Sequence, residues 1–352
     1  MWLRREVSEV AQAKVIRMEG RRVSPGRGPV AVPRCRALRA DGSRCRRSAD
    51  QSGLCPTHRE ELAAAVVSPE EVPGWQRHLR EATTFLRRRL IGDYQVDEFG
   101  FDPELAVNLL APLLRPFYRS YWRIASVGLA EHVPSEGRAL LVCNHAGTLP
   151  FDAAMVRLGV FDDHPAHRHL RMLTADLAFG LPFIGPLARK SGATLACPED
   201  ATRLLEAGEL VAVWPEGFKG IGKPFSERYR LQRFGRGGFV HVAVETGSPI
   251  IPVAVVGSEE IYPLVFNWKT AARLLGFPYF PITPTFPLLG PFGVIPLPSK
   301  WVIEYGEPIE TAGLGAEAAS DPMLLFDLTD RVRDAIQQTL YKNLVARRHV
   351  FF

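Results

Sequence analysis

His145 and Asp152, in the stretch LVCNHAGTLPFDAAMV (residues 141 to 156), are the pair whose types best suit proton transfer. Leu140, Leu141, Val142 and Cys143 form an apolar run of the kind that ends a buried strand. Gly147 breaks that run, and Pro150 is pre-set for the first turn of a helix. His145 therefore falls where a strand ends, and Asp152 in the first turn of the helix that follows. An imidazole on such a loop, with a carboxylate one turn into the next helix, makes a general base whose tautomer its neighbour can fix. The same two residue types also cap helices without doing chemistry, so the pair by itself leaves both readings open.

The order of the segments downstream separates the two readings. FGLPFIGPLARKSG (179 to 192) comes next, then LVAVWPEGFKG (210 to 220), then GSPIIPVAVVGSEE (247 to 260). In this order the blocks resemble the glycerolipid acyltransferases of the lysophosphatidic acid acyltransferase type. That family carries Asn-His-x4-Asp, a Gly-x-x-Phe-Ile block, Phe-Pro-Glu-Gly-Thr-Arg and an apolar Pro-Ile-x-Pro-Val block. The resemblance spans residues 120 to 310 and departs from the pattern twice. Six residues separate His145 from Asp152 where the family has four. The extra residues include Pro150, so the loop is expected to bulge before the helix begins and to let Asp152 fold back onto the imidazole. Phe218-Lys219 stands where the family has Thr-Arg, and a lysine is a point charge without the arginine fork that grips a phosphate.

The resemblance implies a membrane-associated O-acyltransferase that moves a fatty acyl group from acyl-CoA or acyl carrier protein to a glycerolipid hydroxyl. Such a transfer needs a base for the hydroxyl proton, donors for the developing oxyanion and positive charge for phosphate. His145 is then the base, and Asp152 holds its ring and stabilises the imidazolium. Asn144 supports either the loop or the oxyanion. Glu216 and Gly217 match the family's Glu-Gly, and Lys219 takes the place of its phosphate-binding arginine. Lys223, Arg228, Arg230, Arg233 and Arg236 follow as either a solvated face or a phosphate surface. Arg189 and Lys190 stand later than the family's block arginine and are further phosphate candidates. Cys143 is a rival nucleophile. Residues i and i+2 lie about 6 to 7 Å apart along a strand, which is too far for thiolate–imidazole contact without a bend, so it is expected in the core. His241 and Cys197 are expected there too. Two other function classes compete: a lipid-binding adaptor without turnover, and a thioester or lipid hydrolase acting through Cys143.

Three of the five cysteines fall in RCRALRADGSRCRRSADQSGLCPTHR, residues 34 to 59. The spacing Cys35-x9-Cys45-x9-Cys55-x2-His58 offers three thiolates and an imidazole, a closed tetrahedral set for a structural zinc. Gly42 and Gly53 lie in the turns that would bring the loops back to the ion. The segment resembles small Cys3His zinc knuckles, and it holds too few apolar residues to fold without a metal. Free thiols in a basic tail are the alternative. A disulfide framework is not expected in a chain without a secretion signal. Arg34, Arg36, Arg39, Arg44, Arg46, Arg47 and Arg59 decorate the knuckle and suit anionic lipid, a protein partner or nucleic acid phosphates. Aromatic residues for base stacking are missing from this stretch, so nucleic acid is not the expected partner.

The elements that must position these groups follow from composition and pattern. A 352-residue chain with 46% hydrophobic residues is too apolar for disorder and long enough for one large core plus a satellite. Net charge is +5, and residues 1 to 90 hold 19 Lys and Arg against 10 Asp and Glu, so the basic character belongs to the N-terminal quarter. Residues 1 to 33 read as a flexible basic tail with a short helix near Val7 to Met18, residues 34 to 60 as the knuckle, 61 to 123 as a helical segment and 124 to 352 as the acyltransferase domain. In the helical segment, Trp75, Leu79, Phe85, Leu86 and Leu90 share one face. A second helix, Pro103 to Arg123, carries Leu105, Leu109, Leu110, Leu113, Leu114, Phe117 and Tyr121 as its core stripe. Strands are expected at Ala139 to Cys143, Met172 to Thr174, Ala193 to Ala196, Leu210 to Trp214, Ile250 to Val256 and Trp301 to Tyr305. Helices alternate with them near Pro150 to Leu158, Asp200 to Ala207 and Gly237 to Thr246, and Pro322 to Arg348 closes the chain. This alternation predicts an α/β fold with a mixed sheet flanked by helices.

No run of signal-peptide or membrane-spanning length is present, so the expected location is cytoplasmic, peripheral on the inner face of the cell membrane. The stretch LLGFPYFPITPTFPLLGPFGVIPLPSKW, residues 274 to 301, has seven prolines and no charge before Lys300. It is either a cover over the core or an apolar surface of Phe277, Tyr279, Phe280, Phe286, Leu288, Leu289 and Phe292, flanked by Lys269, Arg273 and Lys300, that dips into a bilayer.

Overall fold

Strands β2 (Ala139–Cys143) and β6 (Ile250–Val256) are buried at every position, as strands must be when helices cover both faces of a sheet. Residues 34–37, 43–50, 53–59, 74–145, 148–235 and 237–351 are described by the computed structural model. The basic tail, the first helical piece near residues 61–73, Gly42, Gly147 and Arg236 lie outside the described residues, as do the side chains of Trp75 and Leu79. The chain divides into two compact units, Met1–Thr84 and Phe85–Phe352.

The larger unit holds a seven-stranded mixed sheet flanked by helices, in the order β1-β9-β6-β2-β5-β3-β4. The further strands are β1 (Ala125–Val127), β3 (Leu170–Thr174), β4 (Ala193–Leu195), β5 (Leu210–Val213) and β9 (Val302–Tyr305). Five of the six pairings are parallel, and only β9 runs against β6. Alternation sorts the side chains into two cores. Ala139, Leu141 and Cys143 of β2 join Ile251, Val253 and Val255 of β6 beneath Trp122, Met155 and Trp301. Leu140 and Val142 join Ile250, Ala254 and Val256 on the other face, under Leu204, Val240 and Ile336. The helices concerned are α1 (Phe151–Asp163) on the first face, and α2 (Pro198–Glu206), α3 (Gly238–Thr246) and α4 (Pro322–Ala346) on the second. Trp122 and Trp301 stack at 4.8 Å and close the edge near β1 and β9.

Strand β1 and residues 103–121 both differ from the sequence expectation. The sequence does not show strand β1: three residues at a sheet edge, Ala125 and Val127 exposed and Ser126 half-buried, are too few to reveal a period. Residues 103–121 are not one regular helix. Turns of α-helix at Pro103–Leu105 and Ala111–Pro116 alternate with π turns at Ala106–Leu110 and Phe117–Tyr121. Pro112 and Pro116 supply no N–H, and the widened turns accommodate the broken ladder. Each π turn moves the inward face along the chain. Ala106, Ala111, Tyr118 and Trp122 are therefore buried while Leu109 and Leu113 of the expected stripe are exposed.

Between β6 and β9 the chain forms a lobe of its own. Here β7 (Phe266–Asn267) pairs antiparallel with β8 (Pro281–Ile282), helix α5 (Lys269–Leu275) lies between them, and a 3-10 turn follows at Gly290–Val294.

Candidate active site

Because β5, β2 and β6 are parallel neighbours, their carboxyl ends open on one edge, where open α/β sheets gather ligands. Asn144 and His145 leave the end of β2, Glu216 follows β5, and Ser258–Glu260 follows β6. Asn144 is fully buried: its Nδ2 donates to Val255 O at 3.0 Å, and its Oδ1 accepts from Val255 N at 2.7 Å. The side chain imitates one more residue of backbone pairing. Asn144 therefore supports the loop and does not face an oxyanion.

His145 is held from two sides. Its backbone N–H donates to Glu216 Oε1 at 2.9 Å, and its ring Nδ1 lies 2.7 Å from Asp152 Oδ2. That bond assigns the proton to Nδ1 and leaves Nε2 as the basic nitrogen. The Asp152 carboxylate is buried in the first turn of α1, and 13% of the His145 side chain is exposed. Thr148 turns the chain at φ +60°, and Phe151 begins the helix directly after Pro150. Asp152 thus meets His145 despite the two extra residues in the spacing.

Glu216, expected at a substrate, is an internal strut. Its Oε2 accepts from Gln232 N at 2.7 Å and lies 3.6 Å from Lys223 Nζ. Lys223 is buried as well, 3.0 Å from Glu259 Oε1 and donating to Arg230 O at 3.1 Å, so it does not face a phosphate. Two carboxylates share one ammonium in a buried place. Burial pushes the Glu259 carboxyl up to about 7, against the pull of Lys223. A small cavity, partly open to solvent, is lined by Thr148, Gly220, Lys223, Glu259 and Tyr262 among others, and the buried Thr148 hydroxyl has no hydrogen-bond partner.

Two further residues complete the site. A Cβ on Gly220 would lie 2.8 Å from both Glu216 Cβ and His145 O, so only glycine lets this turn approach the loop so closely. The Tyr279 hydroxyl donates to Thr148 O, and its ring flanks Gly222. Burial and the Asp152 charge push the Tyr279 phenol up to about 12. The Pro-Glu-Gly block carries a trace of the glycine, but nothing local marks Tyr279, which comes from the proline-rich stretch 131 residues away from its partner.

Cys143 is fully buried, and burial followed by the Asp152 charge raises its thiol well above the ordinary value. A thiol held protonated there does not serve as a nucleophile. His241 and Cys197 are not core residues: His241 is half-exposed near Glu245, and Cys197 is half-buried at the start of α2.

Among the expected phosphate ligands, Gly217 sits at φ +54°, and Lys219 in the turn Phe218–Ile221 is exposed with no ion pair among the described residues. Arg228 is exposed and folds over Phe225 at 4.3 Å. Arg189 is exposed over Phe179 at 4.4 Å, with its side chain beside Gly100.

In the smaller unit the ligand atoms of Cys35, Cys45, Cys55 and His58 lie within 4.8 Å of one another, as one tetrahedral ion requires. Cys35 N donates to Arg47 O and Cys45 N to Ala37 O, while Gly53 turns at φ +79° to accept from Arg36 N. His58 presents Nδ1 to Cys55 Sγ at 3.2 Å and to Cys35 Sγ at 3.5 Å. Burial opposes ionising Cys35, but backbone donors and the other thiols outweigh it, so its thiol lies below the ordinary value. The Cys55 thiol is lowered chiefly by the His58 backbone.

Comparison with known proteins gives four findings. The acyltransferase family model matches residues 125–256. The chain is 56% identical over 296 residues to an uncharacterized protein of Mycobacterium tuberculosis, covering 84% of this chain and 82% of that protein. It is 26% identical over 228 residues to the Bos taurus protein named DGAT1/2-independent enzyme synthesizing storage lipids, covering 64% of this chain and 62% of that one. Among solved structures it is similar to the 1-acyl-sn-glycerophosphate (LPA) acyltransferase PlsC of Thermotoga maritima. The TM-score is 0.47 at 17% identity, over 76% of this chain and 90% of that chain.

Proposed function

The chain belongs to the acyltransferase family, and from that premise we propose that it moves a fatty acyl group from acyl-CoA or acyl carrier protein to a glycerolipid hydroxyl. The observation that carries this reading is the His145–Asp152 pair, with Nδ1 committed to the carboxylate and the loop held by Glu216. Nε2 takes the proton from the acceptor hydroxyl as its oxygen attacks the thioester carbonyl. Asp152 stabilises the imidazolium, which returns the proton to the leaving thiolate. No acyl-enzyme intervenes, and a lipid-binding adaptor would need no such base. The bovine relative's name, which speaks of storage lipids, supports a glycerolipid acceptor.

Lys219, with Arg228 nearby in sequence, is the cation we assign to phosphate on either substrate. Cys35, Cys45, Cys55 and His58 would hold a structural zinc that folds the small unit and takes no part in the transfer. The exposed arginines around it suit an anionic membrane or a protein partner. No described helix is long and apolar enough to cross a membrane, and we place the protein on the inner face of the cell membrane through a surface contact.

The test is incubation of the purified chain with a labelled acyl thioester and a panel of lyso and diacyl acceptors, with products identified by mass. Acylated lipid is the expected product. His145→Ala should reduce turnover by about 10²- to 10⁴-fold with the fold intact, and Asp152→Asn by less. Free fatty acid as the sole product, or wild-type turnover in His145→Ala, would reject the assignment.

A further inference from the structure

A second cavity, small and partly open to solvent, shares no lining residue with the His145 loop. It lies between helix α1 and the π-distorted run 103–121, with Val107, Leu158 and Phe161 among its apolar walls. Its polar lining is Arg157 and His169. Arg157 is only 7% exposed, its Nε is buried without a hydrogen bond, and its guanidinium makes no ion pair among the described residues. Asp162 and Asp163, later in α1, are engaged with Arg115 and with Tyr118 and Arg119, while Asp97 and Glu209 pair with Arg171.

His169 supplies no counter-charge. It stacks on Phe161 at 5.1 Å and meets Phe101 edge-on at 5.0 Å. Burial, then the charges of Arg157 and Arg171, depress it to about 4, so it is neutral at physiological pH. Burial also lowers the Arg157 guanidinium to about 10, which still leaves it charged near neutrality. A cation removed from water without a partner is strongly unfavourable, and the usual remedy is a counter-ion.

We propose that this cavity binds one small monoanion, a halide or a carboxylate head, held by Arg157. Three features select that class. The enclosed room is small and open on one side, so it takes a single compact head and leaves any tail outside. One guanidinium balances one negative charge. Walls of Val107, Leu158 and Phe161 favour an anion that gives up its hydration readily. The site is independent of the acyl-transfer reading, since it involves neither His145 nor a lipid product.

The test measures the thermal midpoint of the full chain against sodium chloride, bromide, acetate, hexanoate and phosphate, with ionic strength held by sodium sulfate, a dianion outside the proposed class. Wild-type protein should show a saturable rise with chloride and bromide or with the carboxylates. Arg157→Met should show none, and without added anion it should melt at or above the wild-type temperature, because the uncompensated charge is gone. Displacement of bromide by hexanoate at lower concentration than by acetate assigns an acyl carboxylate, and bromide retained against both assigns a halide. An equal rise in the two proteins, no saturable rise, or a response to phosphate alone overturns the proposal. Should Arg157→Met not fold, wild-type crystals soaked in bromide decide. An anomalous peak within hydrogen-bond distance of Arg157 supports the site, and its absence overturns it.

Discussion

His145 owes its geometry to buried side chains. Asp152 sets its ring, Glu216 its backbone and Asn144 the residue before it. Gly220 tests this dependence. A Cβ there would press on the His145 carbonyl and on Glu216 Cβ, both 2.8 Å away, and a backbone atom cannot swing aside as a side-chain tip can. Gly220→Ala should therefore lower the turnover number by about 10-fold or more while changing KM little, since misplaced catalytic groups cost rate steeply. A steady-state comparison with the wild type checks it, and unchanged turnover would mean that the loop yields freely. The His–Asp pair was legible because Pro150 and the end of an apolar run fix where loop and helix meet. The work of Glu216 was not, because its partner is a backbone N–H 71 residues away, which leaves no local trace. Lys223 was misread for the same reason: a basic residue in a charged run gives no sign that it is buried between two carboxylates.

The sheet puts three strand ends together, and the ion cluster Glu216–Lys223–Glu259 ties the segments beyond two of them to each other. These strands were readable as short apolar runs separated by glycine and proline. Their order was not, because β5 reaches β2 only through pairings far apart in sequence. The distortion of residues 103–121 was hidden as well, since a period of 3.6 assumes a ladder that Pro112 and Pro116 interrupt. The cluster has a pH signature. Glu259 rises from an ordinary 4.5 to about 7 in the fold, so between those values the unfolded chain is ionised while the folded chain keeps its proton. The folded state then binds more protons, and the contribution of Glu259 to stability declines as pH rises from about 4.5 to 7 and stays at its minimum above that. Glu259→Gln should flatten this decline in urea melts at pH 5, 6, 7 and 8. An unaltered slope would assign the pH dependence to other groups.

At the scale of the whole molecule, two surfaces lie outside the transfer step. The Cys3His unit is folded by its own short hydrogen bonds and ligands, so Cys55→Ser is expected to remove bound zinc, measured by metal analysis, while acyl transfer by the variant continues at a substantial rate. Loss of both together would tie the metal to the reaction. The lobe around α5 raises the question of membrane contact. Its exposed apolar residues include Leu274 at 86%, Leu288 at 82% and Phe292 at 71%, with Phe277 and Leu289 beside them in sequence and Lys269, Arg273 and Lys300 exposed at its flanks. Three residues expected in this patch belong to its interior instead. Phe280 packs against Trp268 and Phe286, and Tyr279 turns inward onto Thr148 of the His145 loop. Changing Phe280 or Phe286 would thus damage the lobe itself and say nothing about membranes. Leu288, Leu289 and Phe292 are the informative set, because each projects from the surface and each large apolar side chain buried in a bilayer contributes roughly 1.5 to 3 kcal/mol. Their joint replacement by Ser should cut partitioning onto anionic liposomes by about 10-fold or more per residue, with melting temperature and activity on a short-chain, water-soluble acceptor preserved. Tyr279 joins this lobe directly to the His145 loop, so the same variant should lose activity on long-chain lipid in vesicles in proportion to its lost binding. Liposome sedimentation alongside the two activity assays separates the outcomes. Wild-type sedimentation would move the membrane contact to another surface, and equal loss on both acceptors would make the lobe part of the catalytic fold.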